Sequence, residues 1–380
     1  MKPCIYCGRE PTNERLTLEH VIPKFLGGSQ APDEFKIRGA CQFCNNNLGL
    51  FVDGAFEKNF LVYNELSRLE SAFGKPSSKA LTCMGISDLK PPEMNSNEVC
   101  ESWLGPMGEQ VYWIRPHDEE KSCYSGGNPR TVKNLESRAY FLFSPKSQKN
   151  IYLSLLAFEK AFSGYRVKKI ICTQVEGFDM KIIGFSCADN IDKARIEYFI
   201  NQCTGLKTRH NQILIDLHSN RRFMAKLVLG MTISLFGYDI LNTDYYQQLR
   251  SALQYKVSEK SAISCLDLSS KLTQESQLQH GLGIPFGVTI TVIKSIGELI
   301  LNLNINTSIN LSIVCAKIEE LSHEQISKIE NGICVILCKP LNLGFKLTHS
   351  ELILHNMNII KHPKLSQIEE RLKMPVSEIQ

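Results

Sequence analysis

Four stretches decide the fold of the N-terminal part: Cys4-Ile5-Tyr6-Cys7, Leu18-Glu19-His20-Val21-Ile22-Pro23, Leu26-Gly27-Gly28 and Cys41-Gln42-Phe43-Cys44-Asn45-Asn46-Asn47. The first and last each carry a pair of cysteines two residues apart. Two such pairs make a closed tetrahedral set of thiolates for Zn2+, with no position left open for substrate. The separation between the pairs exceeds that of the shortest zinc ribbons, because a functional loop sits between them. Segment 1–58 is rich in Cys, Asn, Gly and charge and has little apolar periodicity. A structural zinc on Cys4, Cys7, Cys41 and Cys44 is therefore expected to staple it.

The rest of the composition sets bounds. The chain has 380 residues, 43% hydrophobic and 22% charged, with a formal net charge of +4. That is ordinary for a soluble protein of two or three domains. A nucleic-acid partner would have to meet a local basic patch, since the molecule as a whole is no polycation. The N-terminus lacks the apolar core of a signal peptide, and the longest apolar run, Leu227 to Phe236, is too short to span a bilayer. These features lead us to expect a cytoplasmic protein with no membrane partner. The fourteen cysteines then read as thiols of a reducing compartment. Cys172, Cys315 and Cys334 lie in apolar runs and are expected to be inert core residues, as are Cys334 and Cys338 as a pair.

Glu19-His20 carries little weight alone. Its position between the cysteine pairs, just ahead of Pro23 and a Gly-Gly turn, gives it meaning. In this arrangement the segment resembles the HNH endonuclease family of the ββα-metal type, in a variant with Glu-His and Cys-Asn-Asn. The resemblance covers residues 1–58. It implies that neutral His20 is a general base for the water that attacks a phosphodiester. It implies further that Glu19 and Asn45 hold a catalytic Mg2+ or Mn2+, whose hardness suits oxygen ligands. DNA is the expected substrate, with RNA as the alternative, and bacterial anti-phage defence is the expected setting. A non-catalytic, zinc-stapled nucleic-acid-binding or adaptor protein is the competing reading.

Two features qualify the resemblance. If the segment stays extended, Glu19 and His20 point to opposite sides, so both can serve one site only where the chain bends. The family's central Asn, which orients the histidine, is missing: Lys36 lies near its expected place, and a backbone carbonyl would have to do its work. Asn45 is expected at the start of the helix after the second cysteine pair, where free N–H groups favour phosphate. Lys24, Lys36, Arg38 and Lys58 bracket the site. Asn46, Asn47, Gly49 and Asp53 also resemble that variant, which runs Cys-Asn-Asn, then Gly, then Asp; helix capping and solvent-facing polar residues explain them equally well, and they are given no chemistry.

Beyond this segment the expected class is α+β: the zinc-stapled ββα-metal domain (1–58), then a helix, an irregular linker and a hairpin (59–130), then a larger α+β domain (131–380) ending in an antiparallel sheet. Residues 54–69 show helical spacing, and 74–97 read as linker. A hairpin fits 103–115. Strands are expected at 140–143, 167–175, 212–217, 288–293, 298–305, 310–316 and 333–338, and helices at 151–162 and 223–236. The last domain shows no trusted motif. Its role is expected to be sensing, targeting or docking, including a possible homodimer or partner-protein contact. Arg166, Lys168, Lys169, Arg221, Arg222 and Lys226 read as solvated charge, and His210, His218, His349 and His355 as structural histidines.

Overall fold

The computed structural model describes residues 2–11, 16–73, 81–105, 107–117, 132, 134–145, 147–160, 162, 164–173, 184–203, 211–212, 217–254, 265–267 and 281–373. The chain divides into two compact units that do not follow chain order. One joins Met1–Glu57 and Asn64–Pro76 to Leu217–Gln380; the other comprises Lys58–Tyr63 and Ser77–Asp216.

In the first unit, β1 (Thr17–His20) and β2 (Lys36–Ala40) form an antiparallel pair. A helical stretch follows: α1 (Gln42–Leu48), a π-helical segment over Gly49–Asp53, α2 (Gly54–Lys58) and α3 (Phe60–Ala72), of which Asn64–Ala72 belong to this unit. The helix expected over 54–69 is thus present as α2 and α3. The β1–β2 connection depends on the Gly-Gly turn. Gly27 has φ +98°, and a Cβ on Gly28 would fall 1.6 Å from the Ile22 carbonyl oxygen. Only glycine fits such an approach.

The same unit contains α6 (Leu217–Phe236), α7 (Asp244–Gln254) and a six-stranded antiparallel sheet. Its strands are β9 (Cys265–Asp267), β10 (Val288–Ser295), β11 (Glu298–Ile305), β12 (Ile309–Lys317), β13 (Ile333–Cys338) and β14 (Leu343–Leu347), in the spatial order β14-β13-β10-β11-β12-β9. The expected C-terminal antiparallel sheet is present. Two tight hairpins set its register: Ile296 and Gly297, and Asn306 and Thr307, all have positive φ, the conformation of turns that follow strand twist. Cys315, Cys334 and Cys338 are buried in it, as their apolar surroundings implied. His355 meets Glu369 at 3.2 Å and His349 meets the Gly281 carbonyl at 2.7 Å, as structural histidines do. His210 lies outside the described residues.

The second unit is built on six strands in the order β7-β6-β5-β4-β3-β8. They are β3 (Thr82–Ser87), β4 (Glu98–Leu104), β5 (Gln110–Pro116), β6 (Ser137–Leu142), β7 (Val167–Ile171) and β8 (Asn211–Gln212). All pairings are antiparallel except β6–β7. Alternation sorts the side chains. Val111, Trp113, Ala139 and Phe141 pack with Phe158 of α4 (Ile151–Lys160). Tyr112, Ile114, Tyr140 and Leu142 pack with Phe199 of α5 (Asn190–Cys203).

Three local expectations change. The supposed linker 74–97 contains β3, which gains order by pairing with β4 and β8 rather than from its own propensity. The strand expected at 212–217 ends at Gln212, and Leu217 already belongs to α6. That helix starts six residues before the expected Phe223, because its first turns are polar and show no apolar stripe. Of the strand expected at 167–175, β7 accounts for Val167–Ile171, and residues 174–175 lie outside the described residues.

Candidate functional site: a thiolate cluster beside a buried lysine

The four cysteines converge. The sulfurs of Cys4, Cys7, Cys41 and Cys44 all lie within 4.8 Å of one another, with Cys7 and Cys41 3.9 Å apart. Tetrahedral zinc with Zn–S bonds of about 2.3 Å sets its sulfurs about 3.8 Å apart, so the residues present fit that ion. Backbone amides supply the usual support: Cys41 N–H points at the Cys4 sulfur (3.3 Å) and Cys44 N–H at the Cys41 sulfur (3.4 Å). Cys41 thereby caps α1. The Cys44 thiol, with the backbone amides of Cys41, Cys7 and Tyr6, draws the Cys4 thiol down to about 4, while the Cys44 thiol is pushed up by the same contact.

The cluster is not an isolated staple. The carbonyls of the first knuckle are taken up by side chains of α7: Tyr246 Oη donates to Ile5 O (2.5 Å), Arg250 to Cys7 O, and Gln254 to Tyr6 O (3.4 Å). Phe56 stacks on Phe223 of α6 at 3.8 Å with rings nearly parallel. A Cβ on Gly230 of α6 would fall 2.7 Å from Val21. Ile5, Tyr6, Val21, Ile22, Leu26, Phe35, Val52 and Phe56 are all buried. The sparse apolar content of the segment suggested that metal alone holds it. The structure instead sets its few large side chains against α6 and α7.

β1 presents its residues in alternation. Glu19 is buried, and Leu18 and His20 lie on the other face, exposed and half-buried. His20 sits opposite Lys36 in the β1–β2 register. Burial, then the charges of Lys24 and Lys36, hold its pKa below the ordinary imidazole value, with Glu19 pulling the other way. These surroundings favour the neutral form of the ring, the form a general base requires. Among the described residues no hydrogen bond orients this ring. The carbonyl expected to replace the missing Asn is not found, and Lys36 is instead paired with Asp33 at 2.8 Å. Lys24 and Arg38 are exposed, and the side chain of Lys58 lies outside the described residues.

Asn45 lies in the first turns of α1, as expected, and its amide nitrogen donates to Thr17 Oγ1 (2.9 Å) and to Leu18 O (3.1 Å). It thus ties the helix to β1. Glu19 takes a different course. Its carboxylate accepts from Tyr6 Oη at 2.9 Å and pairs with Lys226 of α6 at 3.1 Å. Lys226 also pairs with Asp53 at 2.5 Å. Glu19 and Lys226 are each only 3% exposed. Burial pulls the Lys226 pKa down, but Asp53 and Glu19 outweigh it and hold the ammonium above its ordinary range. Burial raises the Asp53 carboxyl despite Lys226, and Asp53 Oδ1 has no hydrogen-bond partner.

A divalent ion that also binds water and substrate needs ligands open to solvent. Glu19, sealed and neutralised by a lysine, does not fit as such a ligand in this arrangement. The expectation that Lys226 is solvated charge is likewise overturned. Its signal was available: one lysine interrupts Phe223-Met224-Ala225-Lys226-Leu227-Val228-Leu229, whose other members are all buried. Such a position demands a buried counter-charge. Asp53 and Tyr6 were missed for lack of any comparable mark.

Neither a curated protein nor a solved structure matches the chain. Residues 4–61 match the family described as HNH endonuclease, and with a thiolate set fitted for zinc in the same segment, this chain carries an HNH endonuclease module at its N-terminus.

Proposed function

We propose that the protein is an endonuclease hydrolysing phosphodiester bonds, DNA first, with His20 as the general base. The observation that carries this reading is an imidazole on the outer face of β1, inside the HNH module, beside Lys24 and Lys36, whose charges favour its neutral form. In the proposed reaction the ring takes a proton from water as the water oxygen bonds to phosphorus. The bond from phosphorus to the 3′ oxygen then breaks. Lys24 and Lys36 disfavour protonation of the ring, and the exposed Lys24 and Arg38 suit a polyanion. Mg2+ or Mn2+ is proposed as cofactor from the family resemblance; a hard ion of this kind stabilises charge at phosphorus and on the leaving oxygen. Asn45 remains a proposed ligand for it, through its amide oxygen. Anti-phage defence is the proposed setting, and the larger part of the chain is proposed to sense, target or dock, with a second copy or a partner protein as what it meets.

One observation favours the non-catalytic adaptor reading: the expected carboxylate ligand is committed to Lys226. Nicking of supercoiled plasmid with Mg2+, Mn2+ or EDTA separates the two. His20→Ala is expected to lose at least about 100-fold in rate while retaining zinc and thermal stability. Metal-dependent nicking that survives His20→Ala defeats the assignment of the base. A wild-type protein inert on DNA and RNA in every metal favours the adaptor.

A further inference from the structure

Lys226 stands 173 positions beyond Asp53 in sequence, yet its ammonium touches both β1 and the π-helical segment that follows α1. Its ammonium meets Glu19 of β1 at 3.1 Å and Asp53, at the end of the π-helical segment, at 2.5 Å. At the other end of the same strand and helix, Asn45 joins α1 to Thr17 and Leu18. β1 and the helix that follows the cysteines are therefore clamped twice, once by a hydrogen-bonded amide and once by a buried cation. Tyr6, from the first zinc knuckle, completes the second clamp through Glu19.

We propose that Lys226 is a positioning residue for the nuclease site, and that Glu19 serves as its buried counter-ion rather than as a ligand for a divalent ion. The proposal rests on the nuclease reading above. The carboxylate on the inner face of β1 fixes the pitch of the strand and so fixes His20 on the outer face, one residue along. Lys226 supplies from α6 a fixed positive charge that bridges strand and helix within the protein. Two carboxylates sharing one lysine in a buried site explain why the cluster spans three segments. With either acid alone, only the strand or only the segment at Asp53 would meet Lys226, and the two would not be joined through it.

The test uses the full-length zinc-loaded chain as wild type, Glu19→Gln, Lys226→Met and the double variant Lys226→Met/Asp53→Asn. The double variant removes one charge of each sign and serves where Lys226→Met alone fails to fold. Mn2+ binding is followed by the loss of free-ion signal in electron paramagnetic resonance, and nicking is measured across a Mn2+ series. The expected result is Mn2+ binding by Glu19→Gln within about threefold of wild type. Nicking at saturating Mn2+ falls about tenfold or more in Glu19→Gln and in the double variant, with the Mn2+ midpoint unmoved. A larger loss of Mn2+ binding in Glu19→Gln makes Glu19 a ligand and overturns the proposal. Wild-type nicking in either variant overturns it as well, while the nuclease reading stands on the His20 dependence of the wild type. A wild type that neither nicks nor binds Mn2+ sinks the nuclease reading and this proposal with it.

Discussion

Each unit of the protein buries charges, and two of these groups, one in each unit, are built differently. In the second unit Arg115 meets Glu101 at 2.6 Å, both about 98–99% hidden. The pair joins neighbouring strands β4 and β5. The guanidinium also donates to Pro116 O at 3.0 Å and lies over the Trp113 ring at 5.4 Å. In the first unit one lysine faces two carboxylates from distant segments, and Asp53 Oδ1 is left without a partner. A buried pair on adjacent strands holds a sheet in register. An unbalanced triad next to a half-buried histidine holds segments together at the cost of an unmet polar atom, an arrangement typical of a functional site rather than a strut.

The contrast can be broken experimentally. Removing zinc has the largest expected effect, because metal, α7 and the triad all converge on the first knuckle. Cys41→Ser is expected to drop bound zinc from about one per chain to near none and to lower stability by several kcal/mol, read by elemental analysis and calorimetry. A native protein free of metal defeats this. Next, Glu101→Ala strands a buried guanidinium and is expected to cost about 3–5 kcal/mol in denaturant unfolding. A cost below about 1 kcal/mol would show that this pair is no strut.

The pH dependence of nicking sharpens the comparison from the side of the active site. The folded pKa of His20 lies below its ordinary value, so the neutral base persists at pH values where a free imidazole is already protonated. The acid limb of the rate profile is therefore expected below the ordinary imidazole value of about 6.5. Lys24→Gln removes a neighbouring positive charge, makes protonation easier and is expected to move that limb upward by a fraction of a pH unit. A limb that stays put shows that Lys24 does not act on the base. The smallest effect is expected from Asp53→Asn. It relieves the surplus carboxylate while leaving the Lys226–Glu19 pair, and should change stability by less than about 1 kcal/mol. A cost near that of Glu101→Ala would make the two clusters alike after all.

Much of the site was legible in advance because its chemistry is local. Paired cysteines, a Gly-Gly turn and an acid beside a histidine declare themselves by residue type and spacing. Strand alternation even warned that Glu19 and His20 would part. The sheets were legible where apolar runs are bounded by turn residues, as in β11 and β13, and not where order comes from a partner strand, as in β3.

The sequence by itself determined the thiolate set, the parting of Glu19 and His20 to opposite faces of an extended strand, the antiparallel C-terminal sheet and the buried cysteines, since each follows from side-chain chemistry at short range. Only the tertiary structure decided that α6 and α7 complete the module, that Phe223 covers Phe56, and that Lys226 claims Glu19. Those contacts join residues hundreds of positions apart. Nothing in the local pattern says which buried charge answers another; that choice is made by the packing that brings them within reach of one another.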